Sequence, residues 1–204
     1  MSAKRAALAA CVALTIAACS IGKPIPQTTT YVVVPPPVAA GPAAVRRPET
    51  LRMGNVRVAA SYSGNALVYR LDDAEFASDP YYAFIAEPGA MLGDQIAEWL
   101  DRSGPFAAVA QPGSAVSAQY VLEATIAELY GDFRRERPPA AVLTIQFTVI
   151  DQAGARPKIV HQRTIASRVD LPQASPAALV RGYGTALAQI LSQLISELNA
   201  DNVK

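Results

Sequence analysis

The strongest constraint on how this chain can fold is a pair of alternating runs. Tyr120, Leu122, Ala124 and Ile126 alternate with Val121, Glu123, Thr125 and Ala127, and Leu143, Ile145, Phe147 and Val149 alternate with Thr144, Gln146 and Thr148. Successive side chains of a strand point to opposite faces, so a period of two gives each run one apolar side to bury. Asp151-Gln152-Ala153-Gly154 turns the chain after the second run, and Ile159 to Val169 supplies another strand with a more polar outer face. The simple arrangement is an antiparallel meander.

A sheet with one apolar face must be covered. Ser175-Pro176, a capping residue followed by a first-turn proline, opens a helix running to about Asn199. Tyr183, Leu187, Ile190, Leu191, Leu194, Ile195 and Leu198 recur three and four apart along it, one amphipathic stripe that fits the open face of the sheet. A shorter helix starts at Pro88, carries Leu92, Ile96, Trp99 and Leu100, and stops at Ser103-Gly104-Pro105. The expected fold class is therefore α+β: a mainly antiparallel sheet covered by two helices, the second a long C-terminal amphipathic helix. Upstream, Val56 and Val58 alternate with Asn55, Arg57 and Ala59, and a turn at Ser63-Gly64-Asn65 leads into Leu67-Val68-Tyr69-Arg70, which together suggest a hairpin.

The N-terminal end sets the compartment. Lys4 and Arg5, the short apolar run Ala6 to Ile16 and small Ala17 and Ala18 have the anatomy of a secretory signal over residues 1–18. The run falls well below the ~20 residues a helix needs to span a bilayer. Ile16-Ala17-Ala18-Cys19 resembles a bacterial lipobox, in which cleavage leaves an acylated cysteine, here Cys19, as the first residue; by the same resemblance Ser20 suggests sorting to the outer membrane, periplasmic face, rather than to the inner membrane. Residues 19–50 are proline-rich (Pro24, Pro26, Pro35, Pro36, Pro37, Pro42, Pro48) and read as a tether, with Tyr31-Val32-Val33-Val34 a candidate edge strand inside it. Residues 51–204 read as one periplasmic domain. The other cysteine, Cys11, lies in the removed segment, so the mature chain has no disulfide and its fold rests on an apolar core. With Lys4 and Arg5 gone, 16 basic residues stand against 17 acidic ones, and no nucleic-acid partner is implied.

Motifs for chemistry are sparse. His161 is the one histidine, too few for a zinc site, and no Gly-x-Ser-x-Gly elbow accompanies it. Gly182-Tyr183-Gly184 begins like a dinucleotide fingerprint but lies inside the long helix, where its glycines read as packing positions. Asp72, Asp73, Glu75 and Asp79 lack the spacing and the loop glycine of a calcium site, and read as a solvated connection with Asp79-Pro80 setting a turn. Arg134, Arg135 and Arg137, between two long strands, are the candidate contact with a partner or with lipid headgroups. No cofactor is expected, and the chain reads as a non-enzyme.

Leu67-Val68-Tyr69-Arg70-Leu71-Asp72-Asp73, then Asp79-Pro80-Tyr81-Tyr82, then Pro88-Gly89-Ala90-Met91-Leu92 resemble the ABC-type transport auxiliary lipoproteins, to which paraquat-inducible protein C belongs. The specific part is Tyr69 and Arg70, the pair Tyr81 and Tyr82, and Pro88. The resemblance implies an envelope component of an intermembrane lipid-transport machine. Its partners would be a protein with a mammalian-cell-entry (MCE) domain, a permease and an ATPase, and assembly of several copies is open. A stand-alone lipoprotein that binds a ligand or the cell wall is the alternative.

Overall fold

The computed structural model describes residues 27–37 and 46–200. The signal segment and Cys19 lie outside the described residues. The elements run β1 (Thr29–Tyr31), β2 (Arg47–Val58), β3 (Ala66–Arg70), β4 (Phe76–Phe84), α1 (Pro88–Ser103), β5 (Phe106–Ala110), β6 (Tyr120–Asp132), β7 (Ala140–Asp151), β8 (Lys158–Asp170) and α2 (Pro176–Ala200). They form one α+β fold, with a sheet of eight strands and both helices packed on it.

The alternating runs became β6 and β7, paired antiparallel from Tyr120 opposite Asp151 to Asp132 opposite Ala140, and β8 continues the meander. These are the longest ladders of the sheet. Leu122, Ile126, Leu143, Ile145, Phe147 and Val149 turn toward α2, whose Leu187, Ile190, Leu191, Leu194 and Leu198 are fully buried. The opposite face of β7 carries Thr144, Gln146 and Thr148, and Thr144 donates its hydroxyl hydrogen to Glu128 at 2.6 Å. Alternation thus decides which side of the meander is core.

The hairpin expected across Ser63-Gly64-Asn65 does not form. β2 and β3 instead run one after the other along the same edge of β6, both parallel to it: Leu51 to Val58 pair with Tyr120 to Ile126, and Tyr69 and Arg70 pair with Gly131 and Asp132. The physical reason is the length of β6, thirteen residues, whose one edge has room for the Leu51 to Val58 part of β2 and for the end of β3 in line. Ala59 still donates to the Ile126 carbonyl at 2.9 Å, and a 3-10 turn at Ala60–Tyr62 then steps the chain past a bulge in β6. The glycine-containing turn marks an offset in direction of travel, not a reversal. β5 pairs parallel with the outer edge of β2, β4 pairs antiparallel with β3, and β1 pairs parallel with β4, so the sheet is mixed at its N-terminal side.

The expected edge strand at residues 31–34 is displaced to Thr29–Tyr31. Its last bond is donated by the Ile85 N–H to the Tyr31 carbonyl at 2.9 Å; beyond it β4 has ended and α1 is about to begin. Val32 to Pro35 therefore have no strand to pair with. They cross the two helices as a strap, burying Val33 and Pro35 and leaving Val32 and Val34 exposed. The Val33 N–H faces the Met91 sulfur of α1 at 3.5 Å, and the Val34 carbonyl lies directly on Gly184 of α2, where any Cβ would collide with it. β2 begins at Arg47, not Leu51, inside the span 19–50 expected to be tether.

Candidate functional site

Three groups that the sequence presented separately meet at one end of the sheet, where the β3–β4 turn lies beside the β6–β7 hairpin. Asp132, the last residue of β6, is almost fully buried, an unusual place for a carboxylate. Arg134 meets it with a two-pronged grip, Nε to Oδ1 at 2.9 Å and Nη2 to Oδ2 at 2.8 Å, and Arg168 of β8 adds Nη1 to Oδ2 at 2.6 Å. Such planar, charge-assisted pairs suit arginine. The Arg134 donors, assisted by Arg168, hold the Asp132 carboxyl well below the usual carboxylate range against the opposing effect of burial. Arg134 also reaches Asp73 across the two loops at 2.7 Å, and Arg70 closes the β3–β4 turn by donating to the Asp73 carbonyl at 2.7 Å and the Asp72 carbonyl at 3.2 Å. Arg134 is therefore spent on holding the fold. Arg135 and Arg137 at the hairpin tip are exposed, and with Leu71, Asp72 and Glu75 they flank an open cleft of about 570 Å³.

The tyrosines belong to a second brace. Between the pairs Val68–Ser78 and Ala66–Ala83, one residue of β3 faces four of β4, so Asp79-Pro80-Tyr81-Tyr82 forms a wide bulge. Asp79 organises it: one carboxylate oxygen accepts the backbone N–H groups of Tyr81 and Tyr82 at 2.8 and 3.0 Å, and the other accepts the Tyr69 hydroxyl at 2.6 Å. Burial first, and the bond to Asp79 second, push the Tyr69 phenol far above its ordinary range, so it stays a donor at any physiological pH. Tyr69 stacks on Phe133 at 5.0 Å, and Tyr82 packs against Tyr31 of β1 at 6.1 Å. Pro88 stands apart, buried at the first turn of α1.

The family described as ABC-type transport auxiliary lipoprotein component matches this sequence over residues 31–195. The chain belongs to that family. The matched span opens at Tyr31, where the strap leaves the sheet, and closes three residues before Leu198 of α2, so the auxiliary lipoprotein fold includes the strap, both braces and the helices. No curated protein matches the sequence. Among solved structures, the protein XCC0632 from Xanthomonas campestris, assigned to the family DUF330, is similar with a TM-score of 0.69 and 19% identity, covering 86% of this chain and 94% of that one. The hypothetical protein CT253 from Chlamydia trachomatis is similar at a TM-score of 0.54 and 12% identity, covering 76% and 97%. At such identities these likenesses establish the shared fold.

Within this auxiliary lipoprotein the remaining candidates have structural surroundings. His161 is buried on the helix-facing side of β8, with Nε2 3.6 Å from Glu197 of α2, and Arg163 approaches the same carboxylate at 3.4 Å. Gly182 and Gly184 are packing positions as expected, although their neighbours are Ala141 with Leu171 and the strap, not a second helix. Asp73 and Asp79, read in sequence as part of a solvated connection, hold the two braces. Sequence reasoning missed Arg46 and Arg47 altogether. Arg46 donates to the Arg102 carbonyl at 2.8 Å and Arg47 to the Leu198 carbonyl at 2.6 Å, so adjacent arginines close the C-terminal ends of α1 and α2. The available signal was the pair itself, two cations standing at the end of a proline-rich stretch.

Proposed function

We propose that this chain is the non-enzymatic, lipid-anchored component of an ABC transport system of the MCE type, moving lipids between membranes. In this reading residues 1–18 are removed, Cys19 is acylated, and the domain stands on the periplasmic face of the outer membrane beside an MCE-domain protein, with a permease and an ATPase completing the system. The observation that carries the reading is the family match across residues 31–195, which spans nearly all of the described structure. The surroundings of the charged residues support it. Asp132, Arg134, Arg168, Arg70 and Asp73 are engaged with one another, which suits a scaffold; Arg135 and Arg137 are left at a hairpin tip to meet a partner.

Purification of the tagged full-length chain from detergent-solubilised, mildly cross-linked envelopes tests this. The expected result is recovery of an MCE-domain subunit, and through it the permease and ATPase. Recovery of cell-wall fragments or a small ligand, with no transporter subunit, would instead favour a stand-alone binding lipoprotein.

A further inference from the structure

The sheet edge nearest the N-terminus carries an apolar patch that neither the core nor the two braces use. In the parallel β1–β4 pair, Thr29 lies opposite Tyr82 and Tyr31 opposite Phe84, and Tyr31, Tyr82 and Phe84 turn inward, with Phe84 buried and the Tyr31 and Tyr82 rings in contact. Alternation therefore turns Thr30, Tyr81, Ala83 and Ile85 outward, and the strap continues the pattern with Val32 and Val34. Their exposures follow it: Val32 49%, Val34 61%, Tyr81 52% and Ile85 65%. Isolated apolar side chains on a surface are ordinary, but Tyr81 and Ile85 share the outward face of β4 and Val32 and Val34 follow β1 directly, and four large ones so placed call for a partner.

We propose that this patch rests on the bilayer that holds the Cys19 anchor, with Tyr81, Ile85, Val32 and Val34 at the boundary between headgroups and acyl chains. The proposal rests on Cys19 being acylated. Nine residues, Ser20 to Thr28, separate Cys19 from β1, and even fully extended as polyproline they span only roughly 28 Å at ~3.1 Å per residue. β1 is itself part of the patch-bearing edge, so the anchor is joined to the domain at the apolar patch. A tyrosine with its ring in an apolar layer and its hydroxyl in water is suited to that boundary. An acyl anchor and an apolar face acting together bind a membrane more durably than either alone. Ile85 follows the end of β4 that meets Ala66, whereas Arg135 and Arg137 lie beyond the end where Phe76 meets Arg70, so Ile85 and the charged tip stand at opposite ends of β4.

The mature chain's one cysteine is Cys19, so a cysteine introduced elsewhere is labelled uniquely once Cys19 is acylated. Ile85→Cys and, as a control, Ile159→Cys, another exposed site, on β8 at the far side of the sheet, are made in the full-length chain, purified with the lipid, labelled with a polarity-sensitive fluorophore and reconstituted into phosphatidylethanolamine–phosphatidylglycerol vesicles. The expected result is a blue shift at position 85, with quenching by nitroxide-bearing lipid, and water-like emission at position 159. Water-like emission at both positions in protein that floats with the vesicles would overturn the proposal while leaving the anchor intact. A shift at 85 that grows with protein density and resists lipid-borne quencher would also overturn it, in favour of contact between copies. Protein that fails to float, with unmodified Cys19 by mass spectrometry, would remove the anchor and the proposal together.

Discussion

At the residue scale Asp132 is the one carboxylate buried among the described residues, and its charge is stable there only while Arg134 and Arg168 face it. Asp132→Asn keeps the shape and removes the charge, and should cost about 1.5–3 kcal/mol in urea unfolding, the worth of hydrogen bonds to a charged group. Because the folded-state carboxyl is held below its unfolded value of about 3.9, the stabilisation is complete above that pH and is lost as the pH falls through the lower folded value. The gap between wild type and Asp132→Asn should therefore be constant from pH 7 to about 5 and close under more acidic conditions. A gap that widened on acidification would contradict the ion-pair account. Arg135→Glu with Arg137→Glu, by contrast, changes exposed side chains and should leave stability within about 0.5 kcal/mol while weakening recovery of the transporter subunits. The sequence groups Arg134, Arg135 and Arg137 as one candidate contact because they stand together between two strands; what separates Arg134 is Asp132, two residues earlier and buried at the end of a strand, and burial at that position depends on the neighbouring β8 and β3.

At the element scale, legibility followed the range of the physics. The strands β6 and β7 and both helices were readable because period two, period 3.6 and the capping signals Ser175-Pro176 and Pro88 are local. The course of β2 and β3 along one edge of β6 was not, because the residues of a strand do not state which edge it will occupy. Nor was the strap: Val32 to Val34 look like a strand, and only the end of β4 and the start of α1 deny them a partner. The stripe of α2 is core, with Leu194 fully buried against the sheet. Leu194→Ala should therefore destabilise the domain by about 2–5 kcal/mol, whereas Ser196→Ala, on the exposed side, should stay within about 0.5 kcal/mol. Equal melting temperatures for the two variants would mean that the helix covers a partner instead of the sheet.

At the scale of the whole molecule, anchor, strap and charged tip form one line of consequence. Docking of Thr29 to Pro35 ties the proline-rich segment to the fold part-way along it, so with Cys19 as the proposed anchor the reach of the domain is set by the nine residues Ser20 to Thr28, and the partner must come to within a domain's length of the membrane. Cys19→Ala should release a folded protein from the membrane, seen as loss of sedimentation with envelopes at unchanged circular dichroism; no described helix is long and apolar enough to cross a bilayer. Transport is the central claim, and transfer of isotope-labelled phospholipid between the inner and outer membranes of living cells tests it most directly. The account predicts that transfer slows when the gene is deleted, recovers with the wild-type chain, and stays slow with Cys19→Ala; transfer that proceeds at the same rate without the protein would contradict it.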